Sequence, residues 1–378
     1  FNAISNYSDV ESLEFANSFD DTFDNNVEFE PLIAGGEGMV HDHDTDSFSS
    51  TTTASFSVDF AIGAVDGKGV TTTYDANGNS PSTSDGDEGL QAGYGFQIDL
   101  TTSFTGEDSL DISLDAGNAN TVTGAATVSA LAEFDLNGGS EALTVDGVSY
   151  TFPLGSKTTV IVGDNTDGSA MFTTACAYGG PSNTLDDCGN VNAGITNGGL
   201  AIGASFDVGN GFTAAVGYAG DETGLMTKEK VDAYGANVAY SADNYGLSLT
   251  YGVLESGTDE NTYTAFNGYY SLDNGISISA GYEVGDLGGQ DATADESEAY
   301  FIGVNGEVGP GELGAAIGTA GSMTEASSVM PEQLMYEAYY SYAVNDGMTV
   351  TPLIYVKEGA TAAASDETGV MVKTSFSF

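Results

Sequence analysis

Eight charged side chains draw attention by their placement: Asp59, Asp99, Asp111, Asp115, Asp207, Glu283, Glu337 and Lys373. Each lies in a stretch that alternates apolar and polar residues, and each falls on the polar side. Successive side chains of an extended chain point to opposite faces, so all eight share the polar face of their strands. A lysine turned to lipid near the bilayer midplane costs roughly 2–4 kcal/mol, and an acid somewhat less. The pattern predicts one dry face and one wet face, the wet one carrying seven carboxylates and one ammonium. Carboxylates spread along a wet wall attract cations.

Other reactive residues gather in one stretch. Residues 164–198 form the longest polar connection and hold Asp164, Asp167, Asp186, Asp187 and both cysteines, Cys176 and Cys188. A close cysteine pair in an acidic, glycine-rich loop reads as a disulfide formed in an oxidising compartment. A zinc site would need further Cys or His nearby, and the stretch has none. Closing so short a ring orders a loop by about 3 kcal/mol in the chain-entropy picture. Two readings stay open: a rigid constriction folded into a pore, or a stapled loop on the surface. His41 and His43, set among Asp42 and Asp44, are weak metal candidates against the alternative of a solvated acidic linker. Nucleophile–base constellations, phosphate loops and thiol redox motifs are missing, so no enzyme and no cofactor is expected. Calcium bound among the acidic loops is the one ion for which ligands abound.

The elements that position these groups are strands. The closing stretch Thr368–Phe378 sets Val370, Val372, Thr374, Phe376 and Phe378 on one side, with Gly369, Met371, Lys373, Ser375 and Ser377 on the other. The same alternation recurs from Thr51 onward, for example at Phe56-Val58-Phe60-Ile62, Tyr94-Phe96-Ile98-Leu100 and Ile276-Ile278-Ala280-Tyr282. Connections alternate in length. Short turns at Thr105–Asp108, Gly155–Lys157, Gly209–Gly211, Ser241–Asn244, Asp273–Gly275, Val308–Glu312 and Asn345–Gly347 separate longer polar loops at 66–89, 117–141, 164–198, 220–232, 254–262, 285–298, 320–334 and 357–367. Seven short and eight long connections imply about sixteen strands. Tyr218, Tyr240, Tyr251, Tyr282, Tyr300 and Tyr342 lie toward strand ends on the apolar face, as an aromatic girdle would. The expected fold is an all-β transmembrane antiparallel barrel. A barrel of this size leaves an aqueous lumen. Short turns and the C-terminus then fall on the periplasmic side of a bacterial outer membrane and the long loops outside, with lipid and lipopolysaccharide around the wall.

Composition agrees. The 378 residues include 56 acidic and 6 basic side chains, a formal net charge of -50. Nucleic acid is excluded as a partner, because phosphate binding needs basic residues. No run approaches the roughly 18 apolar residues of a spanning helix. Residues 1–50 are acidic and do not alternate; Phe15, Phe19 and Phe23 fit either one amphipathic helix or a loosely ordered arm. The expected organisation is therefore an N-terminal periplasmic segment or arm over 1–50 and a barrel over 51–378. No secretory leader is visible, so Phe1 is read as the start of a processed chain.

Three segments carry a family resemblance: T-T-T-A-S-F-S-V-D-F-A-I-G (51–63), D-L-T-T-S-F-T-G-E-D-S-L-D-I (99–112) and V-D-G-V-S-Y-T-F-P-L-G (145–155). They resemble the porins of marine picocyanobacteria, relatives of the cyanobacterial major porins and, remotely, of carbohydrate-selective porins. The resemblance implies a sixteen-stranded homotrimeric barrel passing small solutes and inorganic ions. Asn6-Tyr7-Ser8-Asp9-Val10 resembles the opening of a peptidoglycan-gripping domain, whose remaining length is absent. Carbohydrate-selective relatives line their eyelet with arginine; this chain has no arginine, so sugar selectivity is not expected. The competing class is a secreted acidic β protein that binds calcium. It explains the charge but not the alternation of short and long connections, and the nonapeptide repeats of calcium-binding β-rolls are missing.

Overall fold

Thr52–Asp66 shows why this chain makes strands: Phe56, Val58, Phe60 and Ile62 stand on one side and small or polar residues on the other. A pleated, half-apolar surface favours such residues. The computed structural model describes residues 51–67, 89–119, 133, 136, 141–196, 199–227, 230–256, 259–288, 296–320, 322–323, 332–359 and 366–378. The chain divides into Phe1–Val40 and His41–Phe378. The segment expected over 1–50, with His41 and His43, lies outside the described residues.

The first strands are β1 (Thr52–Asp66), β2 (Gln91–Thr102), β3 (Ser109–Gly117), β4 (Thr144–Leu154), β5 (Thr158–Asp164) and β6 (Leu200–Gly209). Then come β7 (Phe212–Gly220), β8 (Asp232–Ser241), β9 (Tyr245–Ser256), β10 (Asp259–Ser271), β11 (Ile276–Leu287) and β12 (Glu296–Val308). The last are β13 (Gly311–Ala320), the two-residue β14 (Ser322–Met323), β15 (Gln333–Asn345), β16 (Met348–Lys357) and β17 (Glu367–Ser377). Each long strand pairs antiparallel with the next, and β14 only extends the edge beside β12. β17 returns to β1, with Lys373 opposite Ala61 and Ser375 opposite Asp59. The result is a closed barrel of sixteen long strands.

One expected loop is different. The polar stretch 254–262 is mostly strand, because β9 and β10 run on to Ser256 and Asp259, with Glu255 opposite Glu260. Beyond an apolar belt a strand can be polar on both faces, so polarity alone did not mark a loop there.

The barrel is inside out relative to a soluble protein. Phe60, Ile302, Val370 and Val216 are 52%, 55%, 57% and 58% exposed on the outer face. Their neighbours Ala61, Phe301, Met371 and Ala215 turn inward and are buried. By register the six expected girdle tyrosines all face outward. Tyr282 and Tyr300 donate their hydroxyls to Glu298 and Glu332, each at 2.8 Å. Tyr263, Tyr339 and Tyr355, by contrast, face inward and are buried. The largest apolar cluster joins Leu353, Tyr355, Met371 and Phe301 of the wall to Tyr178 and Leu185 of the 165–199 connection, inside the barrel.

Candidate functional site

The 165–199 connection enters the barrel, and the wall is built to receive it. Gly203, Gly217, Gly235 and Gly252 stand directly opposite one another across β6, β7, β8 and β9. A Cβ on Gly203 would come within 3.2 Å of Met171, and one on Gly252 within 2.8 Å of the Ala193 carbonyl. On Gly217 it would overlap the carbonyl of Gly168. Gly281, Gly303 and Gly318 continue the track, touching Cys188, Tyr178 and Leu185. Only hydrogen in place of a side chain lets the loop backbone lie this close.

Polar rungs lock it there. On β8, Asn237 accepts from Thr173 N–H at 3.0 Å and donates to the Thr173 carbonyl at 3.1 Å. Ser248 of β9 accepts from Ala175 N–H at 2.9 Å, and Ser279 of β11 from Ala177 N–H at 2.9 Å. Asn267 of β10 donates to the Cys188 carbonyl at 2.8 Å. Tyr178 packs its ring on Phe301 and Tyr339, with centroids 5.4 and 5.8 Å apart. The expected disulfide is present: Cys176 and Cys188 are bonded, with Cα atoms 6.5 Å apart.

Two strand acids belong to this seating. Glu283 is 1% exposed and accepts from Asn192 N–H, Asn192 Nδ2 and Ala193 N–H at 2.8–2.9 Å. Glu337 is 3% exposed and accepts from the Tyr178 hydroxyl at 2.7 Å and from the Ser182 hydroxyl. Hydrogen bonds to a charged group contribute about 1.5–3 kcal/mol each. Both acids face inward as expected, but the loop covers them, so they seat the loop against the wall. Lys373 also reaches the loop, donating to the Pro181 carbonyl at 3.4 Å. From the connection between β3 and β4, Glu133 pairs with Lys357 at 2.6 Å, and its carbonyl accepts from Asn183 N–H at 2.8 Å.

The wall of β1 to β4 is organised differently. Asp59, Asp99, Asp111 and Asp115 share its inner face by register and are half-buried. Their partners lie within the wall. Asp99 accepts from Gln97 and Ser113, and Asp111 from Thr101 and Ser109, all at 2.7 Å; Asp115 accepts from Thr144 at 2.9 Å. Asp207 has inward parity but sits at the β6–β7 turn, where it is exposed and caps Gly209 N–H at 2.8 Å. Glu307 and Glu312, missed in the sequence, also face inward; they flank the β12–β13 turn, where alternation is hard to follow.

Within the loop, Asp167, Asp186 and Asp187 are open to water, whereas Asp164 ends β5 on its outward face. Asp164 is therefore a rim residue; strand β5 runs one residue further than its polar composition suggested. Asp187 touches water, yet its enclosure by the surrounding barrel wall pushes its acid up to about 6; Gly189 N–H opposes this, and the Asp186 and Glu283 carboxylates add to it. Burial likewise raises Asp167. No group of three or more His, Cys, Asp and Glu is placed to share a metal ion among the described residues.

No family model and no characterised protein matches the sequence. Solved structures do match its fold. One is a porin of Rhodopseudomonas blastica, at 16% identity and TM-score 0.56, covering 86% of this chain and 100% of that one. Another is OprB of Pseudomonas putida, at 11% identity and TM-score 0.60, covering 87% and 94%. The chain thus shares the sixteen-strand barrel architecture of bacterial porins.

Proposed function

We propose that this chain is an outer-membrane porin that passes inorganic ions and small hydrophilic solutes by passive diffusion, through an acidic, cation-preferring pore. One observation carries the reading: a closed barrel, apolar outside, whose acid-bearing interior is narrowed by an inward loop with three more water-exposed aspartates. An exposed apolar exterior disfavours a secreted soluble β protein. Two porins of known structure share the fold, which supports a channel over an enzyme. The resemblance to marine picocyanobacterial porins adds a homotrimer; the barrel sits in lipid and lipopolysaccharide, and the alternation of short turns and long loops supports a periplasmic C-terminus with the long loops outside.

Cation preference follows from the sign of the field. Asp59, Asp99, Asp111 and Asp115 line one side of the bore, and Asp167, Asp186 and Asp187 stand on the loop. Low-dielectric walls focus such a field and concentrate counterions. Screening shortens from about 10 Å at 0.1 M to about 3 Å at 1 M salt, so the preference weakens as salt rises. The test is the zero-current potential across a planar bilayer under a potassium chloride gradient, with chelator present. A potassium-selective potential is expected; an anion-selective one, or no conductance from folded protein, overturns the proposal.

A further inference from the structure

We infer that a recess inside the disulfide-closed loop binds one hard divalent cation, calcium or magnesium, through protein oxygens and retained water. The recess has a volume of about 220 Å³ and is lined by Thr174, Tyr178, Asp186, Asp187, Cys188 and Asn190, among others. Liquid water takes about 30 Å³ per molecule, so an ion with several waters fits.

Two independent features point to a cation there. The first is the pair of adjacent acids, Asp186 and Asp187, in its lining. The second is Asn190, which is 6% exposed. Its Nδ2 donates to the Thr174 hydroxyl at 3.2 Å, while its Oδ1 meets no donor. A buried carbonyl oxygen left this way costs about 1–3 kcal/mol, and a cation or cation-bound water relieves it. Carboxylate, amide and hydroxyl oxygens are the ligand set of a hard cation. Only two acids contribute, so the ion keeps part of its water, and affinity is on the order of millimolar, as in open extracellular calcium sites.

The inference rests on the reading of a cation-preferring pore, because the recess fills from the bore. Its test uses the full chain, folded in bilayers and detergent. Calcium added to potassium chloride should lower single-channel conductance, with half effect near about 1 mM. Asp187→Asn should raise that concentration by about fivefold or more, while Asp115→Asn on the open wall should leave it within about twofold. Terbium binding, read by emission sensitised through nearby tyrosine such as Tyr178 and displaced by calcium, should weaken in Asp187→Asn in parallel. A variant that loses its heat-modifiable band is replaced by Asp186→Asn. Calcium and terbium effects unchanged in Asp187→Asn mean a recess filled by water alone and overturn the site. An equal loss in Asp115→Asn places the ion on the open wall and also overturns it. Either result can arise in a potassium-selective pore, whereas an anion-selective reversal potential sinks the pore reading whatever terbium does.

Discussion

The two inner walls of this barrel carry similar residue types to opposite ends. On the wall from β6 to β15, inward glycines, amides, hydroxyls and two glutamates are consumed by the loop. On the wall from β1 to β4, inward aspartates bond only sideways to strand hydroxyls and one amide in the contacts described above, and stay half-open. The difference teaches that a carboxylate on the wet face of a strand is an anchor or a field source according to what packs against it. Parity alone does not choose.

The sharpest way to break the contrast is to add bulk to each wall. Gly217→Val forces a side chain into the Gly168 carbonyl, an overpacking worth about 1–3 kcal/mol, and should unseat the loop and raise mean conductance roughly twofold. Ser113→Val on the open wall should leave conductance nearly unchanged. If both variants behave alike, the loop does not lie where the glycine track holds it.

Removing an anchor comes next. Glu283→Ala leaves two loop N–H groups and the Asn192 amide without their acceptor, at a cost of about 1–3 kcal/mol. Increased open-channel noise and faster proteolysis within 165–199 are expected, with little change in selectivity. The converse holds on the open wall. Replacing Asp59, Asp99, Asp111 and Asp115 together by Asn should lower the potassium-to-chloride permeability ratio by about threefold or more without adding noise. A quiet Glu283→Ala pore, or a noisy Asn variant, would erase the distinction.

A smaller effect is expected from reducing the Cys176–Cys188 bond. The ring contributes about 3 kcal/mol of ordering to the loop, but the wall contacts remain, so the barrel stays folded and only noise rises. Unchanged noise on reduction would mean that the wall alone holds the loop.

The smallest effect is that of pH. Asp187 titrates at about 6 in the folded protein against 3.8 for an ordinary aspartate, so the seated loop favours the protonated acid. Seating therefore weakens as pH rises from about 4 through about 6 and is level beyond, because the unseated state binds fewer protons in that window. Over the same rise cation selectivity gains a step as Asp187 ionises. Zero-current potentials between pH 5 and 8 should show that step in the wild type and none in Asp187→Asn.

Period-two alternation, read from residues such as Phe56, Val58 and Phe60, determined by itself which faces are dry, and the spacing of turns determined sixteen strands. Both are local properties: a strand's pleat sends side chains to alternate faces whatever surrounds it. The inward parity of all eight singled-out charges and the pairing of Cys176 with Cys188 follow from the same locality. Tertiary structure alone decided that the loop turns inward, that Glu283 and Glu337 vanish beneath it, and that Gly203, Gly217, Gly235 and Gly252 align into one track. Those facts depend on register between strands and on one loop meeting at least ten of them. An inward glycine or asparagine reads the same in sequence whether it faces water or a backbone 3 Å away, because its environment is supplied by residues tens of positions distant.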